Sequence, residues 1–335
     1  MSAPLLEVKG LTKSFPIASG LFRTTVGHIK AVDNVGFKIA QGETLGLVGE
    51  SGCGKTTTGR LVLRLIERSA GELTFHLDGQ RIDLNTLKGE ELRVFRKHMQ
   101  LIFQDPFSSL NPRMTVLDTI AEPLRAHRFG TRSEIEDRVR WLTDAVGLKV
   151  EFLRRYPHAF SGGQRQRICI ARALALNPKL VICDEPVSAL DVSVQAQILN
   201  LLKDLQQELG LTYLFIAHDL SVVENISARV AVMYAGRIVE MAGTMKLFHH
   251  PRHPYTEALM SALPKPDPDA RSGRIVLPGE VADPSNLPPG CAFHPRCRYA
   301  LDRCRTEVPG LRDLRPGHTC ACHRAEDITL QGATR

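Results

Sequence analysis

The residues from Gly49 to Thr56 are the strongest candidates for chemistry in this 335-residue sequence. Their order, Gly-Glu-Ser-Gly-Cys-Gly-Lys-Thr, matches a phosphate-binding loop, in which backbone N–H groups and a helix N-terminus surround phosphates. Lys55 would place its charge on the terminal phosphates, and the Thr56 hydroxyl could bind Mg²⁺. The candidate nucleotide-binding residues of this loop are Gly49, Ser51, Gly52, Cys53, Gly54, Lys55, Thr56 and Thr57.

Two adjacent carboxylates, Asp184 and Glu185, follow an apolar run at residues 180–183. Ligands of open α/β sheets collect where buried strands end, so this pair is expected beside the phosphates. Asp184 is predicted to hold Mg²⁺, directly or through water. Glu185 is predicted to polarise an attacking water as a general base.

Five of the eight cysteines crowd into residues 291–322. Their spacing lacks the paired Cys-x2-Cys knuckles of most structural zinc sites, although loop-rich sites of four thiolates tolerate unusual spacing. Zinc, an iron–sulfur cluster and free thiols all remain open on spacing alone.

Alternating short apolar runs and helical patterns predict the elements that position these groups. The predicted strands are residues 5–8, 31–39, 43–48, 180–183 and 212–216, and the predicted helices are residues 55–66, 134–146 and 194–209. Strands that alternate with helices favour a parallel sheet covered by helices. The first two strands lack a helix between them and favour an antiparallel layer.

Amino-acid composition predicts the class of the protein and its division into domains. With 43% hydrophobic and 24% charged residues, the chain is typical of globular proteins rather than disordered or fibrous ones. No apolar stretch approaches the roughly 20 residues that span a bilayer, and no secretory signal is visible. Ten of the 20 prolines lie in the final 75 residues. We therefore predict a domain at residues 1–260 and a loop-rich extension at residues 261–335.

The stretch Phe160-Ser-Gly-Gly-Gln-Arg-Gln-Arg167 resembles the signature sequence of ATP-binding cassette (ABC) ATPases. Further motifs of that family follow the expected order and include Phe15, Gln104, Asp191 and His218. The resemblance implies an α/β phosphate-loop ATPase of the RecA-like kind. Its parallel sheet core would carry an N-terminal antiparallel β subdomain, a helical subdomain at about residues 105–170 and the loop-rich C-terminal extension.

The resemblance also implies a role for each motif. Phe15 would stack on adenine, and the catalytic residues would be Glu185, Gln104 and His218. Mg²⁺ would be held by Thr56, Gln104 and Asp184. Two cassettes would meet head to tail, so that one chain's signature covers ATP on the other; the residues expected there are Ser161, Gly162, Gly163, Gln164 and Asp191.

Residues 17–28, 104–113, 184–193 and 249–256 resemble the oligopeptide/dipeptide/nickel importer subfamily, closest to the second ATPase subunit of bacterial dipeptide importers. The implied function is an ATP-hydrolysing motor at the cytoplasmic face of the bacterial inner membrane. The implied partners are a paralogous ATPase subunit, two transmembrane permeases and an extracytoplasmic solute-binding protein. The tail resembles one that carries a [4Fe–4S] cluster, with Cys291, Cys297, Cys304 and Cys322 as ligands and Cys320 as the spare.

The alternative function is a soluble ABC ATPase acting on nucleic acid. Such chains usually carry two cassettes or a long coiled-coil insertion, and this sequence shows one cassette without sustained heptads. We therefore expect no nucleic-acid partner. A degenerate regulatory ATPase is disfavoured because Lys55, Asp184, Glu185 and His218 are all present. The solute stays open among dipeptides, oligopeptides, glutathione and nickel.

Overall fold

The computed structural model describes residues 4–19, 24–263 and 274–333. Its strands are β1 (Pro4–Ser19), β2 (Thr24–Ala40), β3 (Thr44–Val48), β4 (Ala70–Leu77), β5 (Gln80–Asp83), β6 (Met99–Ile102), β7 (Leu180–Asp184), β8 (Thr212–Ala217), β9 (Arg229–Tyr234), β10 (Arg237–Gly243), β11 (Arg312–Arg315) and β12 (His318–Cys320). Its helices are α1 (Lys55–Val62), α2 (Gly89–Phe95), α3 (Pro106–Ser109), α4 (Val116–Ala126), α5 (Arg132–Ala145), α6 (Gly162–Leu174), α7 (Val192–Leu209), α8 (Leu220–Ile226), α9 (Thr244–His249), α10 (Pro254–Ser261) and α11 (Asp302–Thr306).

The chain divides into two units. The first unit comprises Met1–Leu5, Ile39–Thr44 and Asp83–Ile216, and the second comprises Leu6–Lys38, Leu45–Ile82 and Ala217–Arg335. This division groups residues whose backbones lie close together in space. The domain boundaries predicted from the sequence, 1–260 and 261–335, stay a prediction. Pro264, Pro266 and Pro268 lie outside the described residues.

Parallel strands in the order β8-β7-β6 form the sheet of the first unit. Every residue of β7 and β8 is buried, as the continuous apolar runs at these positions predict. In register, Ile102 lies opposite Cys183, and Asp184 lies opposite Ile216. The strand ends therefore deliver Gln104 and Glu185, which follow them in the chain, to one edge of this sheet.

Several helices of the first unit begin at side chains that accept hydrogen bonds from their free N–H groups. Thr115 accepts from the Asp118 N–H at the start of α4, and Thr131 and Glu134 form a capping box at the start of α5. Gly210 ends α7 with a left-handed φ of 62°, which glycine adopts at no steric cost. The helical character predicted between residues 105 and 160 is present as α3, α4, α5 and short 3₁₀ turns.

An antiparallel sheet in the order β2-β1-β4-β5 lies in the second unit. Leu6 pairs with Phe75 and Val8 with Leu73, and all four side chains are buried. The predicted antiparallel layer near the N-terminus is confirmed. Its strands are longer than the 5–8 and 31–39 of the prediction, and the central partner β4 was not predicted.

The second unit also holds strands in the order β11-β12-β10-β9-β3. β3 and β9 are parallel, while β9, β10, β12 and β11 pair in an antiparallel way. The hairpin of β11 and β12 thus continues the sheet from the edge of β10. A buried contact reinforces this pairing, because His318 Nε2 lies 2.7 Å from Glu240 Oε1.

The predicted α/β class, with a parallel core and an N-terminal antiparallel sheet, is confirmed. The helix after the glycine-rich loop is shorter than predicted: α1 ends at Val62 and Arg64 adopts a positive φ of 54°. Among the helices of the described residues, none has the length and apolar composition needed to cross a membrane.

Candidate functional site

The loop of residues 49–54 connects β3 to α1 and approaches neighbouring backbone closely. A Cβ on Gly49 would lie 2.2 Å from the Met233 carbonyl oxygen, and one on Gly54 would lie 2.2 Å from that of Ala31. Both glycines also have positive φ, 154° and 105°. Only glycine fits at these positions, so the tight course of the loop depends on their identity.

Lys55 begins α1, and its side chain folds back into the loop. Its Nζ donates to the carbonyl oxygens of Gly49 at 2.7 Å and Glu50 at 3.1 Å, and the residue is only 5% exposed. Burial raises the pKa of the neighbouring Cys53 thiol, which therefore stays neutral. The Lys55 ammonium therefore lies inside the loop, where a bound phosphate could replace the carbonyl oxygens as its hydrogen-bond acceptor. Thr56 follows it in the first turn of α1.

Glu50 forms hydrogen bonds within the second unit through its N–H, its carbonyl and its carboxylate. Its N–H donates to the Tyr255 hydroxyl at 2.8 Å, its carbonyl accepts from Lys55, and its carboxylate receives two hydrogen bonds from Arg296 at 2.7 and 3.1 Å. Sequence reasoning missed Tyr255 and Arg296, which are 205 and 246 residues away from Glu50. The one sequence feature that could have indicated a basic partner was the Glu50 carboxylate, which lies inside a loop predicted to bind anions.

The two carboxylates at the end of β7 occupy different environments. Asp184 is 7% exposed, and Glu185 is half-buried with a positive φ of 48°. The Glu185 N–H donates to the Ile216 carbonyl at 2.9 Å, which fixes its backbone at the sheet edge. Gln104 Nε2 donates to Glu185 Oε2 at 2.9 Å, so two of the predicted catalytic residues are in direct contact.

The signature residues form the first turn of α6. Ser161 and Gln164 make a reciprocal capping box, in which the Ser161 hydroxyl accepts from the Gln164 N–H and Gln164 Oε1 accepts from the Ser161 N–H. A Cβ on Gly163 would lie 2.5 Å from Val194 in α7, so the turn packs closely against that helix. Asp191 precedes α7 and makes no side-chain cap to it.

Phe15 and His218 belong to the second unit, like the loop. Phe15 is 37% exposed on β1, with Lys13 Nζ 4.9 Å from its ring centroid, so one face can receive a flat ligand. His218 directly follows β8 and is exposed. The predicted site residues of the first unit are Gln104, Asp184, Glu185, Asp191 and the signature at residues 161–164.

The predicted [4Fe–4S] cluster is wrong. Cys291, Cys297, Cys304 and Cys322 line one small cavity, yet no group of three or more His, Cys, Asp or Glu side chains in the described part of the chain can hold a metal ion. Burial raises the pKa of Cys297 to about 12 and that of Cys322 to about 11. The same finding gives no zinc site among the described residues, and none of these cysteines forms a disulfide there.

Comparisons with known proteins match two parts of the chain to family models. Residues 32–188 match the ABC transporter model, and residues 239–304 match the C-terminal region of oligopeptide/dipeptide transporters. The oligopeptide transport ATP-binding protein AppF of Bacillus subtilis is 52% identical, over 95% of this chain and 97% of AppF. The glutathione import ATP-binding protein GsiA of Pectobacterium atrosepticum is 56% identical, over 84% of this chain and 45% of GsiA.

A solved structure shares both fold and sequence. The ATP-binding cassette MJ0796, in a dimeric post-hydrolysis state bound to ADP and Pi, is 30% identical with a TM-score of 0.62. The match covers 71% of this chain and 98% of the cassette. The family match at residues 32–188 includes the loop, the carboxylates and the signature.

Proposed function

Because the chain belongs to the ABC transporter family, we propose that it is the ATP-hydrolysing motor subunit of a bacterial importer of peptides. ATP binding and hydrolysis are the family's activity, and the glycine loop with its buried Lys55 fits them. The observation that carries the proposal for a hydrolytic motor is the hydrogen bond between Gln104 and Glu185, which holds a carboxylate at the end of β7.

The loop and the residues around it would bind the nucleotide. Backbone N–H groups between Gly49 and Lys55 would surround the β- and γ-phosphates, with the Lys55 ammonium against them. Ser51, Cys53, Thr56 and Thr57 would contribute the remaining loop and helix contacts. Phe15 would stack on the adenine ring.

Mg²⁺ fits the residues expected to bind it. Thr56, Gln104 and Asp184 offer hydroxyl, amide and carboxylate oxygens, which are the ligands that this hard cation prefers. Bound Mg²⁺ would neutralise phosphate charge.

Glu185 would act as the general base. It would accept a proton from the attacking water while Gln104, already hydrogen-bonded to it, orients the carboxylate and the water. His218 would donate to the γ-phosphate and stabilise the charge that develops there.

The signature residues would complete a second nucleotide site, on a partner cassette. The N–H groups that begin α6 form an anion cradle, and Ser161, Gly162, Gly163, Gln164 and Asp191 lie at or beside it. The dimeric state described for MJ0796 supports this arrangement. A paralogous ATPase is our proposed partner.

Peptide import is supported by the match of residues 239–304 to oligopeptide/dipeptide transporters and by the oligopeptide transport for which AppF is named. None of these relatives supports the nucleic-acid alternative, which we drop. We propose that the chain binds two membrane permeases from the cytoplasmic side, with an external solute-binding protein delivering the peptide. Residues 1–260 would form the nucleotide-binding domain, with a helical subdomain near residues 105–170, and residues 261–335 the extension.

Peptide uptake in cells tests this function. A strain lacking the chain should lose uptake of labelled dipeptides or oligopeptides, and the Lys55→Ala variant should not restore it. Uptake restored by the wild type alone supports the proposal. Unchanged peptide uptake in the deletion strain, with loss of glutathione uptake, would replace peptides by glutathione as the solute.

A further inference from the structure

The phosphate-binding loop is held from the C-terminal part of the chain through Glu50. The contacts of Glu50 involve its N–H, its carbonyl and its carboxylate, so every polar group of this residue is engaged. One of these contacts is with Lys55 itself. A shift of Glu50 would therefore move a carbonyl that positions the Lys55 ammonium.

Arg296 is built into this position. It is 8% exposed, and its Nε lies 3.3 Å from the Pro278 carbonyl oxygen, to which it donates. The hydrogen bonds with Glu50 raise its pKa further, so it stays charged at any physiological pH. The 3₁₀ turn at His294–Arg296 follows Phe293, whose buried ring packs against Tyr255 and Tyr234.

The opposite charges of Glu50 and Arg296 also affect how the loop would bind an anionic ligand. A carboxylate inside a loop that binds triphosphate repels the ligand, and at low dielectric that repulsion is strong. The bidentate pairing with Arg296 neutralises Glu50 and holds it in one orientation. Loss of Arg296 alone would leave an unpaired carboxylate in the loop.

We propose that Arg296 is a positioning residue for ATP binding, which neutralises Glu50 and thereby couples the C-terminal extension to the phosphate-binding loop. This proposal rests on the proposed function, because it presupposes that the loop binds ATP. It predicts that substitution of Arg296 weakens ATP binding strongly when residue 50 is a charged glutamate and only slightly when residue 50 is neutral.

Equilibrium binding of ATP to the full chain tests the coupling. The four proteins are the wild type, Arg296→Ala, Glu50→Gln and the double variant, measured with Mg²⁺ at two salt concentrations. Arg296→Ala should weaken binding by roughly tenfold, within the range typical of coupled sites. The double variant should recover most of that loss, because a glutamine in place of Glu50 carries no charge that needs neutralising.

Two further variants separate positioning from folding. Arg303→Ala removes an exposed ion pair with Glu307 elsewhere in the extension and should leave the dissociation constant unchanged. Arg296→Lys keeps the charge and should bind ATP more tightly than Arg296→Ala. If Arg296→Ala does not fold, Arg296→Gln, alone and combined with Glu50→Gln, carries the same test, because glutamine also removes the charge while keeping a longer side chain.

Three outcomes decide the proposal. Weaker binding in Arg296→Ala with recovery in the double variant supports it, most clearly if the loss shrinks at high salt. Equal binding in Arg296→Ala and the wild type, or no recovery in the double variant, overturns it while leaving the ATPase assignment intact. Failure of the wild type itself to bind ATP would overturn the proposed function and, with it, this coupling.

Discussion

Glu185 adopts a backbone conformation that side chains other than glycine seldom take, with φ at 48°. The strand register and the hydrogen bond to Ile216 hold it there, and Gln104 meets its carboxylate. Strained residues of this kind concentrate at functional sites, where surrounding contacts determine them. The geometry agrees with the role of base that the motif predicts for Glu185.

Replacing Glu185 by glutamine should separate ATP binding from hydrolysis. The amide keeps the shape and can still contact Gln104, but it cannot accept a proton. We expect ATP turnover of the assembled complex to fall by roughly 10²–10⁴-fold with ATP affinity retained. Glu208→Gln, an exposed position on α7, is the matched control and should hydrolyse ATP normally. Near-normal turnover in Glu185→Gln would remove the base assignment.

Replacing Lys55 by alanine should act on binding itself. The side chain is buried in the loop, and its charge is expected against the terminal phosphates. Titration of the purified chain with ATP should show affinity reduced by at least roughly tenfold, since a charge-assisted hydrogen bond is worth about 1.5–3 kcal/mol. Lys203→Ala, on α7, provides the control. Unaltered affinity would argue against the loop as the nucleotide site.

The place in the fold of a contiguous motif could be predicted from the sequence, because local spacing determines its geometry, while the roles of its residues stay predictions. The loop, the Asp184–Glu185 pair and the signature are of this kind. Tyr255 and Arg296 could not, since only the folded chain brings them to Glu50. The cluster prediction was wrong although four of the five cysteines line one cavity, because no group of three or more His, Cys, Asp or Glu side chains among the described residues can hold a metal ion.

Among the helices, α10 depends on a buried histidine at its N-terminus. His253 is 1% exposed, and its Nδ1 accepts from the Tyr255 N–H at 3.1 Å. Burial lowers the pKa of His253 to about 3. Protonation would place an unsolvated charge there and remove the acceptor that caps the helix.

This histidine should make folding stability depend on pH. Its pKa is lower in the folded chain than the 6.5 of an ordinary histidine, so its stabilising contribution is complete above pH 6.5 and declines as the pH falls towards 3. The decline should be at most about 1.4 kcal/mol per pH unit.

Urea unfolding of the wild type and of His253→Asn between pH 7 and 5 checks this. Asparagine can still cap α10 but does not titrate, so its curve should be flatter with pH. His250→Asn, at an exposed position, should keep the slope of the wild type. If the free energy of unfolding of His253→Asn falls with pH as steeply as that of the wild type, His253 does not cause the pH dependence.

Element boundaries show where periodicity stops being informative. The strands β7 and β8 and the helix α7 were predicted within two residues, because buried runs and caps mark their ends. Helix α1 was predicted four residues too long, since its apolar pattern continues past Val62 into a turn. The strand β4 was missed although Leu73, Phe75 and Leu77 alternate with polar residues as in a half-buried strand, and it lies between β1 and β5 in the sheet.

At the scale of the whole molecule, Ser161 should matter to a neighbouring cassette rather than to its own nucleotide. Ser161→Arg places a long charged side chain at the start of α6, in the predicted interface. We expect loss of cooperative ATP hydrolysis by the purified complex, while the isolated chain still binds ATP. Ser133→Arg, exposed in the first turn of α5, should leave cooperativity unchanged. Loss of ATP binding by isolated Ser161→Arg would contradict the head-to-tail arrangement.

The hairpin of β11 and β12 also bears on solubility. It covers the side of β10 that would otherwise present unpaired N–H and C=O groups, and uncovered strands of this kind recruit other chains into aggregates. Shortening the chain before Arg312 would expose β10 and leave the buried Glu240 without His318. Such a shortened cassette should self-associate on expression even with its nucleotide loop intact. That result would mean that the C-terminal hairpin keeps the edge of β10 from pairing with other chains.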